Sequence, residues 1–377
     1  IVDAATDGAV GGAPGRDLEA ASRRATIEGG APQRVGPEVA LGHGGFADDL
    51  APPGALVAVP RPEGGWAVGE TLRAARAEAG TVQGRRTTAD LVWPLEVPDG
   101  EWDLVLRTTW VEPAYLELDA SWCWPGGEPA NPLANGGAFG AKAGSPVTAA
   151  ARDLADLHDR PVRVVLTRED VVRMGPKRPP VAAGVRRDGT GVVRVVQTPG
   201  IAAAVRSVAP GLVVEEVDVA GPPTSARVRG AGWVEAAVLA AALRGESRVT
   251  SPSGARAEAV IEHDGTIAVR VAAGEVLDDT VLRSYCVGAA HQGIGWVTSE
   301  AISVDEAGVP HDLTVRSFGI LRARDMPAVR VEVLDPGTAG PDEPVNGSDA
   351  VFAAVAAAAW MARGLPPAWP TDHRRQR

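Results

Sequence analysis

The sequence predicts an α+β fold, and three observations predict it. A short β-run ending at Val59, a helix over 70–79 and strand-like text over 102–111 form a small α+β unit at about 41–112. Two alternating runs, 258–263 and 267–271, flank Asp264-Gly265, a strong hairpin signal. Apolar helical runs at 147–158, 234–243, 281–299 and 349–363 share the chain with these strands.

Taken in order, residues 1–40 are rich in Ala, Gly and polar residues without a sustained period, and read as a tail or linker. From Leu41 a turn-rich stretch enters the β-run. The helix over 70–79 is closed by Gly80. Strand-like text occupies 91–111. The glycine loop at 131–144 leads through Ser145-Pro146, an N-cap residue and a first-turn proline, into the helix over 147–158. A strand at 160–166 precedes Thr167, which caps a short helix to about Met174 with Glu169 and Asp170 in its first turn. Further strands are expected at 192–196, 212–219, 313–318 and 329–334, and a loop at 335–348 leads into the last helix. No internal repeat is visible in the sequence.

Composition narrows the function classes. At 377 residues the chain can hold two or three domains with a large core. A hydrophobic fraction of 45% with 23% charged residues is that of a globular protein. The net charge of −11 argues against a nucleic-acid partner, whose footprint would be basic. The basic run 373–377 reads as a solvated tail. The longest apolar run, 350–362, is shorter than the roughly 20 residues a membrane span needs, and no signal peptide is evident, so a cytoplasmic location without membrane contact is expected. Two distant cysteines, Cys123 and Cys286, leave no all-cysteine cluster or zinc site, and six scattered histidines give no metal motif. No metal ligand is therefore assigned to this chain.

Three stretches carry chemistry. In the first, Gly136, Gly137, Ala138, Phe139 and Gly140 precede Lys142, one of only two lysines. Glycines at this density let the backbone approach a ligand, and the helix that follows offers free amides and a positive dipole end to an anion. An ordinary loop fits the same letters. The second stretch holds Arg227 and Arg229 with Gly230, Ala231 and Gly232, before an apolar helix. Its arginines suit bidentate pairing with phosphate or carboxylate, or simply a surface turn. In the third, Asp342 and Glu343 sit among prolines and glycines. A carboxylate in a partly apolar pocket can act as a general base; an acidic loop tip reads equally well.

Together these stretches resemble the large, molybdenum-cofactor-binding subunit of the xanthine dehydrogenase, aldehyde oxidase and carbon monoxide dehydrogenase family. Gly136 to Lys142 match the family's Gly-Gly-x-Phe-Gly-x-Lys loop at the molybdenum centre, and Arg229-Gly230-Ala231-Gly232 match its Arg-Gly-x-Gly loop beside cofactor and substrate. The segments 111–118, 160–169 and 291–300 are similar to the family's flanking text. The catalytic Gly-x-Gly-Glu falls on Gly340-Pro341-Asp342-Glu343, so Glu343 inherits the base role. This chain departs from the pattern at Pro341-Asp342. It also lacks the Gly-Gln-Gly motif that holds much of the pterin, and it is considerably shorter than the family's large subunits. Residues 1–4 resemble the end of the family's iron–sulfur subunit.

The resemblance implies a small hammerhead-like domain at 41–112 and a larger cofactor-binding domain at 113–377. It implies molybdenum hydroxylation of an N-heterocycle or aldehyde, with Glu343 as general base and molybdenum–molybdopterin, alone or as the cytosine dinucleotide, supplying the hard chemistry. Electrons would leave through partner iron–sulfur and FAD subunits. The missing pterin-binding text supports a second reading, a shortened non-catalytic paralogue serving as a structural or cofactor-binding subunit of such a complex.

Overall fold

The computed structural model describes residues 15–80, 90–115, 117–133, 136–337 and 340–372. The expectations for residues 1–4 and 373–377 lie outside these. The described residues form an α+β protein with three four-stranded mixed sheets.

Helices α1 (Leu18–Gly29) and α2 (Pro37–Ala40) come first, followed by strands β1 (Leu56–Pro60) and β2 (Trp66–Gly69) and helix α3 (Leu72–Ala79). Strands β3 (Leu104–Arg107) and β4 (Asp119–Cys123), helix α4 (Val147–His158), β5 (Val162–Leu166) and α5 (Arg168–Met174) follow. Then come β6 (Val181–Val185), β7 (Gly191–Val196), α6 (Ile201–Val208), β8 (Leu212–Val217) and α7 (Trp233–Arg244). The chain closes with β9 (Val249–Thr250), β10 (Arg256–Ile261), β11 (Ile267–Ala272), α8 (Asp279–Thr298), β12 (Val329–Val333) and α9 (Ser348–Ala362).

The first sheet runs β2-β1-β5-β4, with β1 and β5 parallel. Helix α4 packs on one face and α3 on the other. The second sheet runs β3-β6-β7-β8 and the third β9-β10-β11-β12. These two share one topology. Each has an antiparallel hairpin, a crossover helix, a parallel strand beside the hairpin's second strand, and a closing helix. Parallel pairing obliges such a crossover. The sequence shows no repeat because topology constrains only burial and turn positions, which many residues satisfy.

One core joins the second and third sheets with α7, α8 and α9. Helix α9 lies at its centre, buried from Ala350 to Trp360 and apolar on every side. Small residues let it sit close to α8. A Cβ on Gly293 would stand 2.8 Å from the Phe352 carbonyl oxygen. Trp360 and Trp296 each meet Trp369 edge-on, which ties the C-terminal segment to this core.

Several expectations change. Residues 15–40 are not a bare tail, since α1 is capped by the Asp17 carboxylate and ended by Gly30 in left-handed conformation. The expected strand at 313–318 is a 3₁₀ turn, Val315–Ser317, because no neighbouring strand pairs with it among the described residues. Strand β6 and helix α6 were not foreseen. Val-Ala-Ala-Gly-Val has little intrinsic strand preference and is a strand because β3 and β7 pair with both its edges. Pairing also crosses residue 112: β1 joins β5, and β3 joins β6.

Candidate functional site

Two 3₁₀ turns, Ala138–Gly144 and Val228–Gly230, bring the first two motif stretches into contact. Phe139 (φ 54°) and Arg229 (φ 49°) both hold left-handed backbone, as does Ala138 (φ 49°). Left-handed residues other than glycine each cost of order 1–3 kcal/mol and cluster at functional sites. The Arg229 guanidinium carbon lies 5.4 Å from the Phe139 ring centroid, in cation–π contact. Gly140 makes the approach possible. A Cβ there would fall 2.1 Å from the Arg227 carbonyl oxygen, and its φ of 96° favours glycine as well.

Below the turns lies a layer of buried charge. Arg229 Nη1 donates to Glu300 Oε2 at 2.7 Å, with both side chains nearly inaccessible. Arg178 Nη1 donates to the carbonyls of Val228 (3.0 Å) and Arg229 (2.6 Å), and its guanidinium stacks on Trp296 at 4.2 Å. Its Nη2 stands 2.8 Å from Glu235 Oε1. Glu235 also accepts the Gly232 amide at 2.7 Å and so caps α7. Burial pulls the Arg178 guanidinium below its ordinary range, while Glu235 opposes the shift. Arg229 Nε and Glu300 Oε1 are buried without a hydrogen-bond partner among the described residues. Orphaned buried polar atoms of this kind are rare in folded proteins.

The remaining predicted residues fall elsewhere. Lys142 is buried and turns away from the turn pair to donate to Glu117 Oε1 at 2.5 Å and the Leu118 carbonyl at 3.1 Å. Glu343 is exposed. Its main chain is held close to Gly274, and Glu275 donates to the neighbouring Asp342 carbonyl at 2.9 Å. Among the described residues, no hydrogen bond or ion pair joins Glu343 to the two turns. Helix α1, not foreseen in any role, reaches the glycine loop instead: the Gly29 carbonyl oxygen lies 3.6 Å from the position of a Cβ on Gly137.

Sequence reasoning also passed over Arg178, Glu235 and Glu300. A signal existed for Glu235, the single acid in an otherwise apolar run ahead of Arg244. Buried acids are rarely tolerated without a partner.

No protein-family model matches the sequence, and no curated protein matches it. The fold does recur in solved structures. Quinoline 2-oxidoreductase from Pseudomonas putida 86 is similar over 89% of this chain and 95% of its own, with a TM-score of 0.58 and 10% identity. Reconstituted CO dehydrogenase from Oligotropha carboxidovorans is similar over 90% of this chain and 95% of its own, with a TM-score of 0.52 and 8% identity. At such identities the likeness shows a shared fold, the fold of two oxidoreductases.

A molybdenum–pterin group can be tested against the atoms present. On the Phe139–Arg229 side they fit a flat, anionic group in part: Phe139 is 42% exposed, and the buried Arg229 guanidinium sets a positive charge behind its ring. On the Gly137 side α1 narrows the approach, with the Gly29 carbonyl oxygen 3.6 Å from the position of a Cβ on Gly137, an ordinary van der Waals separation.

Proposed function

We propose that this chain is a cofactor-side subunit of an oxidoreductase complex of the molybdenum-hydroxylase kind. The observation that carries the reading is the interlock of the two turns, with Arg229 over Phe139 and Gly140 against the Arg227 carbonyl. The shared fold and the matching motif letters support it. When bound, the cofactor would supply the redox chemistry. Gly136, Gly137, Ala138, Phe139 and Gly140 would form one wall of its site, and Arg229, Gly230, Ala231 and Gly232 the other. The buried layer of Arg178, Glu235 and Glu300 fixes Arg229 before any ligand arrives, so orienting a group there needs little further ordering. Glu343 is the proposed general base. It would accept a proton on its carboxylate while iron–sulfur and FAD partners carry electrons away. A small N-heterocycle or aldehyde is the proposed substrate, and the cytoplasm the proposed location.

The shortened, non-catalytic reading keeps a specific observation in its favour. Glu343 is exposed, and α1 covers part of the glycine loop. Elemental analysis of the complex purified from its source separates the two readings. Stoichiometric molybdenum, lost in Arg229→Ala, supports the cofactor-side subunit; a complex free of molybdenum leaves the scaffold.

A further inference from the structure

Helix α1 spans a junction of segments far apart in the chain. Besides Gly29 against Gly137, Arg24 Nη2 donates to the Val345 carbonyl at 2.8 Å, and the Gly347 amide donates to Glu28 Oε1 at 3.4 Å. Just past the helix, the Tyr285 hydroxyl of α8 donates to Gln33 Oε1 at 3.3 Å. Just before it, Arg16 grips Asp278 through two 2.9 Å contacts. The helix and its two flanks thus touch the glycine loop, the segment leading into α9, and α8 with its cap.

The chemistry of this contact differs from that of the core. Within α1 only Ala21 and Ala25 are buried apolar residues. The rest of the seat is the ion pair Arg24–Glu28, both side chains at 0% exposure. Arg24 Nε and Nη1 and Glu28 Oε2 lack hydrogen-bond partners among the described residues. Desolvation offsets most of the attraction in such a pair, and unsatisfied atoms add to the cost. The pair fixes register while returning little net stability. Helix α9, buried among apolar neighbours along its length, is the opposite case.

From this geometry we propose that α1 is a displaceable strap. Docked, it closes the Gly137 face of the glycine loop; released, it uncovers that face together with residues 345–347. Its role as a gate for a cofactor rests on the reading given above, whereas its displacement does not. One neighbouring carboxylate bears on the docked pair. Asp349, in the first turn of α9, has its carboxyl pushed up to about 6 by burial and by Glu28, with Arg178 opposing. Tyr285 and Cys286 on α8 are each pushed up to about 12 by burial and by Glu28, with Arg24 opposing. Tyr285 and Cys286 are therefore neutral at ordinary pH, and of the three only the Asp349 carboxylate, once ionised, repels Glu28.

Amide hydrogen exchange on the full chain tests this. Corrected for intrinsic rates, amides of 18–29 should open at least about tenfold more readily than those of 348–362, and 136–144 should gain exchange in step with α1. The double substitution Arg24→Met with Glu28→Leu replaces the pair by apolar side chains and should slow α1 opening by about tenfold, with 136–144 slowing alongside. Equal opening of α1 and α9 would make α1 part of the global core and overturn the proposal. So would α1 opening that leaves the protection of 136–144 unchanged. If the double variant does not fold, the wild-type comparison alone decides. The readout is backbone exchange, so it is independent of molybdenum content, which tests the cofactor reading.

Discussion

Arg229 stands over the ring of Phe139, 5.4 Å from its centroid, and both residues hold left-handed backbone. Ninety residues of sequence separate them, yet Gly140 brings their main chains into contact through the Arg227 carbonyl. Geometry of this kind makes the site sensitive to single atoms.

Gly140→Ala should be costly. Its Cβ would overlap the Arg227 carbonyl oxygen, so about 2 kcal/mol or more of stability is lost, or the turns separate. Gly144→Ala is the control. It has nothing within 4 Å of the new Cβ and should change stability by about 0.5 kcal/mol or less. Urea denaturation of both variants checks the contrast.

Arg229→Ala leaves Glu300 buried without its partner and should cost about 3–5 kcal/mol. Arg227 is exposed, and Arg227→Ala should be within about 0.5 kcal/mol of wild type. Equal losses in the two variants would show that the buried pair is not what holds the second turn.

Glu343→Gln should leave the melting temperature unchanged, because the side chain is exposed. If Glu343 is the base, turnover by the assembled complex falls about 10²–10⁴-fold while molybdenum content holds. Asp342→Asn, next door and also exposed, should change neither. Assaying an N-heterocycle and aldehyde panel decides it, and full activity in Glu343→Gln would remove the assignment.

Asp349 gives a pH signature. Its folded-state carboxyl is raised from 3.8 to about 6, first by burial and then by Glu28. The folded state therefore binds a proton more tightly than the unfolded state, and this contribution to stability is lost as pH rises through about 4–6. Asp349→Asn should remove that fall, at roughly 1.4 kcal/mol for each unit by which the carboxyl is raised. Denaturation midpoints of both proteins at pH 4 and pH 7 measure it. A wild-type-minus-variant difference that does not change between those pH values would refute the shift.

Much of this protein is legible in its sequence because the governing physics is local. Thr71 and Gly80 bound α3, Thr167 and Asp170 form a capping box on α5, and Asp264-Gly265 turns the hairpin of β10 and β11. Caps, turns and apolar periodicity act within a few residues, so their letters stand together. The glycine loop and the Arg229 turn were legible as separate motifs for the same reason. Their contact was not. It depends on left-handed Phe139 and Arg229, on Gly140 fitting under a carbonyl 87 residues away, and on Arg178, Glu235 and Glu300 meeting from three distant segments. Nor could residues 18–29 show that they would bury an ion pair against Val345 and reach Gly137. Local sequence determined the elements; burial of charge between distant segments, which only packing creates, decided what the elements enclose.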